Sequence, residues 1–322
     1  MDANQFKTTM NEWGHKRVPF LFLIDFEMKK PRLFRLHEID SEELLYALNG
    51  KTNATQNHPT VAGQLVKIPI SIQEYQSKFD YVLRHLVLGD SYLTNLTTKT
   101  PITLPSSLSS IFHSVAAKYK VLLSGEFLCF SPETFVKIAD DTIFSFPMKG
   151  TIDADVEDAE AKILYNQKEL AEHVTIVDLI RNDLSLVARQ VEVSRFRYID
   201  VIKTQQKNLL QVSSEIRGIL PSNWHSLIGD IFFQVLPAGS VSGAPKKKTC
   251  EIIRQAEGED RGYYTGIVGI FDGKTVDSGV MIRFIEKSGD QLFYRSGGGI
   301  TTQSNLEEEY QEAIQKVYVP VS

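Results

Sequence analysis

Between Ser131 and Thr151 the sequence runs SPETFVKIADDTIFSFPMKGT. Pro132 and Pro147 bound it, and apolar residues fall between them at two-residue steps, Val136 and Ile138, then Phe144 and Phe146. Asp140-Asp141 lies in the middle, so the pattern predicts two short antiparallel strands joined by a tight turn. A closed hairpin brings its ends together. Glu133 and Lys149 would then face one pocket from the same end of a sheet, a carboxyl group beside an amine. Neither carries chemistry alone, because a lysine before Gly-Thr is ordinarily a solvated loop residue.

Composition narrows the class. Of 322 residues, 42% are hydrophobic and 23% charged, which describes a globular chain with a large core. The net charge is -5 and no basic cluster exceeds Lys246-Lys247-Lys248, which argues against a nucleic-acid partner. The apolar run Val18 to Ile24 contains Pro19 and stops at Asp25, so it reads as neither signal peptide nor membrane span. Cys129 and Cys250 form no Cys-x-x-Cys pair and the seven histidines show no metal spacing, so zinc is not expected. Asn53-Ala54-Thr55 and Asn95-Leu96-Thr97 match the glycosylation pattern by chance in a chain without an export signal. A cytoplasmic location is expected.

Outward from the hairpin, Phe20 to Phe26 reads as a strand and the polar run Gly50 to Pro59 as a loop. Tyr75, Phe79, Val82, Leu83 and Leu86 recur at helical steps and predict a helix packed on a sheet, ended by Gly89-Asp90. Ser91 to Thr98 reads as a strand, and strands dominate from Val121 to Phe146. After acidic loop residues, Asn166 and Glu169 make a capping box for a long helix with Leu170, Val174, Val177 and Ile180 as its apolar stripe. Glu169, Glu172 and Ile176 share another flank, either a solvated face or half of a cation site.

Val191 to Ile202 and Leu209 to Leu220 read as strands joined by the loop Lys203 to Asn208. A helix around Ile228 to Leu236 leads into the loop Pro237 to Lys246, whose spacing is not that of a phosphate loop and whose Pro245 suits a first helical turn. Gly266 to Phe271, Thr275 to Ile285 and Gln291 to Arg295 then predict a three-stranded meander. Ser296-Gly297-Gly298-Gly299-Ile300 follows, either a flexible turn or backbone that approaches a carboxylate with its N–H groups. A last helix opens at Ser304 with Glu307 completing a capping box, and Glu309, Glu312 and Lys316 line one flank. Two helices with Glu-x-x-Glu flanks could offer four carboxylates to one hard cation such as magnesium.

Taken together, these stretches resemble the chorismate-utilising family, which includes anthranilate synthase, aminodeoxychorismate synthase, isochorismate synthase and salicylate synthase. The resemblance rests on Gly89 to Leu96, Ser131 to Phe135, Pro147 to Thr151, Lys168 to Asp183, Pro237 to Lys246, Arg261 to Gly266, Ile282-Arg283, the Gly297 run and Glu309 to Glu312, in that order. It implies a single large α+β domain of mostly antiparallel sheets packed with helices, with residues 1–70 completing the sheet and 71–322 forming the chorismate-binding catalytic part.

Family members that add water to chorismate carry a lysine where this chain has Leu93, so water is not the expected nucleophile. Anthranilate synthases read Pro-Ile-Ala-Gly-Thr where this chain reads Pro-Met-Lys-Gly-Thr, and a lysine there resembles the aminodeoxychorismate branch, in which it is a covalent nucleophile. By the same resemblance Glu133 is the general acid, and His173 and Thr151 lie beside the reacting ring. Glu172 and Glu312, supported by Glu169 and Glu309, hold Mg2+. Tyr264, Arg283, Gly297, Gly298, Gly299 and Lys316 receive the enolpyruvyl carboxylate. A nucleophilic lysine must be neutral, so the site is expected to depress the Lys149 pKa. Neither cysteine stands in a glutaminase turn, so ammonia is expected from a separate glutamine amidotransferase subunit. Residues 1–80 lack a Leu-Leu-Glu-Ser signature, so no tryptophan site is expected. The alternatives are anthranilate synthesis and a non-catalytic chorismate-binding subunit.

Overall fold

Phe20–Ile24 is buried along its whole length, and its two faces show how the layers stack. Phe20, Phe22 and Ile24 point into one core cluster, while Leu21 and Leu23 point into another. Such a strand is covered on both faces. The computed structural model describes residues 1–55, 64–203 and 208–320, within which the chain forms two nine-stranded sheets and eight α-helices.

The first sheet runs in the order Met148–Asp153, Asn208–Ile219, Thr142–Ser145, Thr134–Ala139, Val276–Val280, Ile267–Phe271, Phe20–Ile24 and Arg32–Arg35, with Arg189–Lys203 also paired to Asn208–Ile219. The second has Leu93–Thr103 beside Gln291–Ile300, then Phe284–Ser288, Phe127–Ser131, Tyr119–Leu123 and Leu44–Leu48. Every pairing in both is antiparallel. Inner faces of the two sheets share one core, including Leu44, Tyr119, Val121, Phe127, Val268 and Ile270. The helices Ala3–His15, Gln167–Ser185 and Ile228–Val235 cover the outer face of the first sheet through Phe6, Val177 and Phe232. Ile72–Val87, Lys246–Glu257 and Leu306–Gln315 cover the second through Phe79, Ile252 and Ala313. The α+β architecture expected from sequence is what the chain adopts.

The hairpin forms. Ile138 pairs with Ile143 and Ala139 with Thr142, and both Asp140 (φ 48) and Asp141 (φ 57) take the left-handed backbone that a two-residue turn of this hand needs. Its second strand is turned over relative to the expected pattern: Ile143 and Ser145 are buried, whereas Phe144 and Phe146 are half-buried and stack on each other at 6.3 Å. The helix Ile72–Val87 follows its periodicity, capped by Ser71 and closed by Gly89 at φ 78.

Elsewhere the chain departs from the sequence expectation. Val174 is 45% exposed, and His173, Val177 and Leu184 form the buried face of its helix in its place. Asn305, not Ser304, caps the last helix, and the Ser304 hydroxyl instead donates to Glu309 at 2.8 Å. Pro245 is the N-cap of its helix and not a residue of the first turn. Lys51 and Thr52 pair as a short strand, while 56–59 of the expected polar loop lie outside the described residues. The glycine run is no turn. Gly297, Gly298 and Gly299 pair with Thr97, Leu96 and Asn95 inside the Gln291–Ile300 strand.

The expected Thr275–Ile285 strand is two strands in different sheets. Val276–Val280 belongs to the first sheet and Phe284–Ser288 to the second, with a break at Met281, Ile282 and Arg283, the last at φ 53. A second crossing lies beside it, where the chain leaves Phe127–Ser131 in the second sheet and enters Thr134–Ala139 in the first. Val280 N–H donates to the Glu133 carbonyl and Phe130 N–H to the Arg283 carbonyl, each at 3.1 Å. An acid and a guanidinium are thereby fixed on neighbouring crossings.

Candidate active site

Two chambers, of about 330 and 200 Å³, open along these crossings. They share Asn95, Glu133, Lys149, Ser240 and Gly299 in their walls, so the acid and the amine of the hairpin stand where the chambers meet. A larger hollow of about 460 Å³ is walled by other residues.

Lys149 is aimed by the backbone. The 142–153 segment runs antiparallel along Asn208–Ile219, and its register slips between Met148 and Thr151, with Gly150 at φ 83. A bulge of this kind re-aims the side chain next to it. The Lys149 ammonium lies 2.6 Å from Glu172 Oε2 on the facing helix. Burial pulls its pKa down, but Glu172 first and then Glu169 and Glu312 pull it up more strongly, so the net direction is upward. The expected depression is not what these neighbours produce: three carboxylates surround the amine and hold it protonated.

Glu133 has the opposite need and the matching surroundings. Desolvation raises its pKa, while a 2.6 Å hydrogen bond from the Ser240 hydroxyl and the charge of Lys316 restrain the rise. Burial that favours the neutral carboxyl in this way suits a group that donates a proton. Ser240 comes from the Pro237 to Lys246 loop. That loop carries no phosphate-loop geometry; it pairs Gly243 and Ala244 with the Leu93–Thr103 strand and lays its small residues along the cleft.

The smaller chamber gathers the residues expected to meet a carboxylate. Arg283, Lys316, Tyr264 and Gly297, Gly298 and Gly299 all line it. Lys316 donates to the Gly297 carbonyl at 2.8 Å and pairs with Glu312 at 2.6 Å, while the Arg283 guanidinium lies over Tyr318. A Cβ on Gly298 would sit 3.4 Å from Glu309 Oε2 and 3.6 Å from Glu312 Oε1, so this glycine faces the acidic flank of the last helix.

Of the four expected metal ligands, Glu172 lines the larger chamber and Glu312 the smaller, and each is paired with a lysine. Among the described residues no three acidic, histidine or cysteine side chains are gathered closely enough to hold a metal as they stand. One observation nevertheless fits a cation. Glu169 Oε2 is buried with no hydrogen-bond partner among the described residues, an oxygen whose burial asks for a positive charge.

Four expected residues are not in the chamber walls: Glu169, Glu309, Thr151 and His173. Thr151 is exposed on the strand beyond the bulge, near Gln211. His173 is fully buried behind Lys149, its Nε2 2.7 Å from Ser214 Oγ, and burial with the charges of Arg197 and Lys149 lowers its pKa to about 4. Two residues that sequence reasoning passed over belong to the site. Ser240 bonds the acid, and Asn95, whose Oδ1 is buried with no hydrogen-bond partner among the described residues, faces both chambers. Beneath them Arg261, paired with the buried Glu257 at 2.6 Å, donates to the carbonyls of Asn95 and Val241 and so links strand and loop.

The chain is 51% identical over 311 residues to a PabA-like protein of Haemophilus influenzae, covering 97% of this chain and 95% of that one. It is 29% identical to aminodeoxychorismate synthase component 1 of Bacillus subtilis, over 81% of this chain and 57% of the relative. The fold is that of the menaquinone-specific isochorismate synthase MenF of Escherichia coli, with a TM-score of 0.71 at 17% identity, over 98% of this chain and 80% of that one. Residues 19–322 match the model of the chorismate binding enzymes, and the chain belongs to that family.

Proposed function

We propose that the chain aminates chorismate with ammonia to give 4-amino-4-deoxychorismate, the precursor of 4-aminobenzoate and folate. The observation that carries this reading is a buried carboxyl group, Glu133, whose pKa is raised by desolvation, and an amine, Lys149, at the junction of two chambers, one of them lined by Arg283 and Lys316.

Chorismate is a dicarboxylate with an allylic hydroxyl, and hydroxide leaves poorly unless protonated. Glu133 gives its proton to that hydroxyl, which departs as water. Lys149 forms a bond to the conjugated ring at a carbon removed from the hydroxyl as the C–O bond breaks. Ammonia then attacks the carbon that lost the hydroxyl and expels the lysine. The atoms balance as chorismate and ammonia giving aminodeoxychorismate and water. Arg283, Lys316, Tyr264 and the glycine strand orient the enolpyruvyl carboxylate, and Arg283 suits it best because a guanidinium binds a carboxylate in two places.

Before attack Lys149 must lose a proton, and Glu172 is the nearest base. Glu169, Glu172, Glu309 and Glu312 supply the oxygen ligands that Mg2+ prefers, and bound there the ion would neutralise the ring carboxylate. In this reading ammonia comes from a separate glutamine amidotransferase subunit, and free ammonium replaces it in vitro.

Mass spectrometry of the product formed from chorismate, Mg2+ and ammonium tests the proposal beside Lys149→Ala. Aminodeoxychorismate from the wild type and a sharp loss in the variant support it. Anthranilate as product would remove the assigned role of Lys149, and chorismate binding without turnover would favour a binding subunit.

A further inference from the structure

Glu133 has a second opening. Behind the cleft lies a cavity of about 20 Å³ whose walls include Glu133, Ser240 and Ser145, and also Asp183 from the long helix. A space of roughly 10–15 Å³ is enough for one water provided that several polar groups face it, and these four residues supply them. Asp183 is 9% exposed, and its Oδ2 lies 2.8 Å from the Lys246 ammonium, which also donates to the Val235 carbonyl at 2.5 Å. Lys246 in turn lines the 460 Å³ hollow on its other side, together with Cys250 and Arg254. Gly239 makes room for this arrangement, because a Cβ there would stand 3.1 Å from Asp183 Oδ2 and 2.8 Å from Leu179.

We propose that Asp183 and Lys246 form a proton relay that resets Glu133 through one water in the small cavity, with the outer hollow as its contact with solvent. The proposal rests on Glu133 acting as general acid. Lys246 passes a proton to the Asp183 carboxylate, Asp183 passes one to the water, and the water protonates the Glu133 carboxylate left after turnover. The Lys246 amine takes its proton back from solvent. Only O–H and N–H bonds are exchanged. The acid is thereby recharged while substrate fills the chambers that are its direct route to water. Energetic matching favours the transfer: burial raises the Asp183 pKa to about 6 and lowers that of Lys246, so donor and acceptor approach each other. Besides each other, Cys250 acts on Lys246 of the pair, and Lys316 acts on Glu133 at the far end of the relay.

The test is steady-state amination of chorismate by the wild type, Asp183→Asn and Asp183→Glu in H2O and D2O. With the relay, Asp183→Asn loses about tenfold in kcat with KM for chorismate held within about twofold. Its solvent isotope effect on kcat rises, because proton resupply now limits turnover, and Asp183→Glu restores both values. The double variant Asp183→Asn/Lys246→Met leaves no unpaired buried ammonium and shows the same loss, which separates the relay from a folding defect. An unchanged kcat in Asp183→Asn, or a lower kcat with an unchanged isotope effect, overturns the relay and leaves the pair as a strut. A wild type that does not aminate chorismate refutes the proposed function itself, a result distinct from either.

Discussion

Replacing His173 with Gln measures how the wall behind Lys149 handles charge, with no reference to catalysis. The imidazole is fully buried, and burial, followed by the charges of Arg197 and Lys149, holds its pKa near 4 against 6.5 for a free histidine. Between those values the unfolded chain binds a proton at this position that the native state refuses. Native stability therefore falls as pH is lowered through the window. At 1.36 kcal/mol per pH unit the contribution is about 3 kcal/mol, fully present above pH 6.5 and lost by pH 4.

Asp183 works in the opposite direction. Its pKa is raised from 3.8 to about 6, so the native state binds the extra proton and stability rises as pH falls from 6 to 3.8, by about 3 kcal/mol. In the wild type the two nearly cancel, and a single stability curve hides both. The difference between wild type and His173→Gln exposes the histidine alone. Urea unfolding at pH 7, 6, 5 and 4, followed by the fluorescence of Trp224, which is 1% exposed, gives that difference. Relative to the wild type the variant should gain about 3 kcal/mol between pH 7 and pH 4. A difference that stays flat to within about 0.5 kcal/mol would show that the native state accepts the charged imidazole, and the argument from desolvation would fail.

Two further perturbations follow from the same geometry. Ser240→Ala removes the hydrogen bond that restrains the Glu133 pKa, a charge-assisted bond of about 1.5 kcal/mol, so the alkaline limb of kcat/KM should move up by about one pH unit. The sign is fixed because the acid must be protonated to act; an alkaline limb that stays put while the acid limb moves up would show that Glu133 works as a base. Gly297→Ala should fail to fold well, since its Cβ would meet the Leu96 carbonyl oxygen at 2.4 Å, whereas Gly298→Ala should fold and raise KM by filling the anion chamber. Thermal unfolding beside chorismate kinetics checks the pair, and equal effects on stability would refute the assignment of faces.

What the sequence conveys here is local. The 72–87 helix could be read because one face of it repeats at helical spacing, and the Asp140-Asp141 turn because two-residue hairpin loops demand backbone that Asp tolerates. Period-two patterns carry no label for the sheet they join. Thr275 to Ile285 therefore read as one strand, although the chain changes sheets at Met281 to Arg283. That change is what sets Arg283 beside Glu133, so the step invisible to periodicity is the one that builds the anion chamber. The charge state of Lys149 was equally hidden, because it is governed by Glu172, Glu169 and Glu312 arriving from two different helices. Motif order identified the family by residue type, but the state of each residue belongs to neighbours that only the closed pair of sheets brings together. Its neighbours favour the ammonium form of Lys149, whereas the proposed reaction calls on the neutral amine. In the proposed amination Lys149 has to give up its proton before it attacks, and Glu172, 2.6 Å away, is the nearest base.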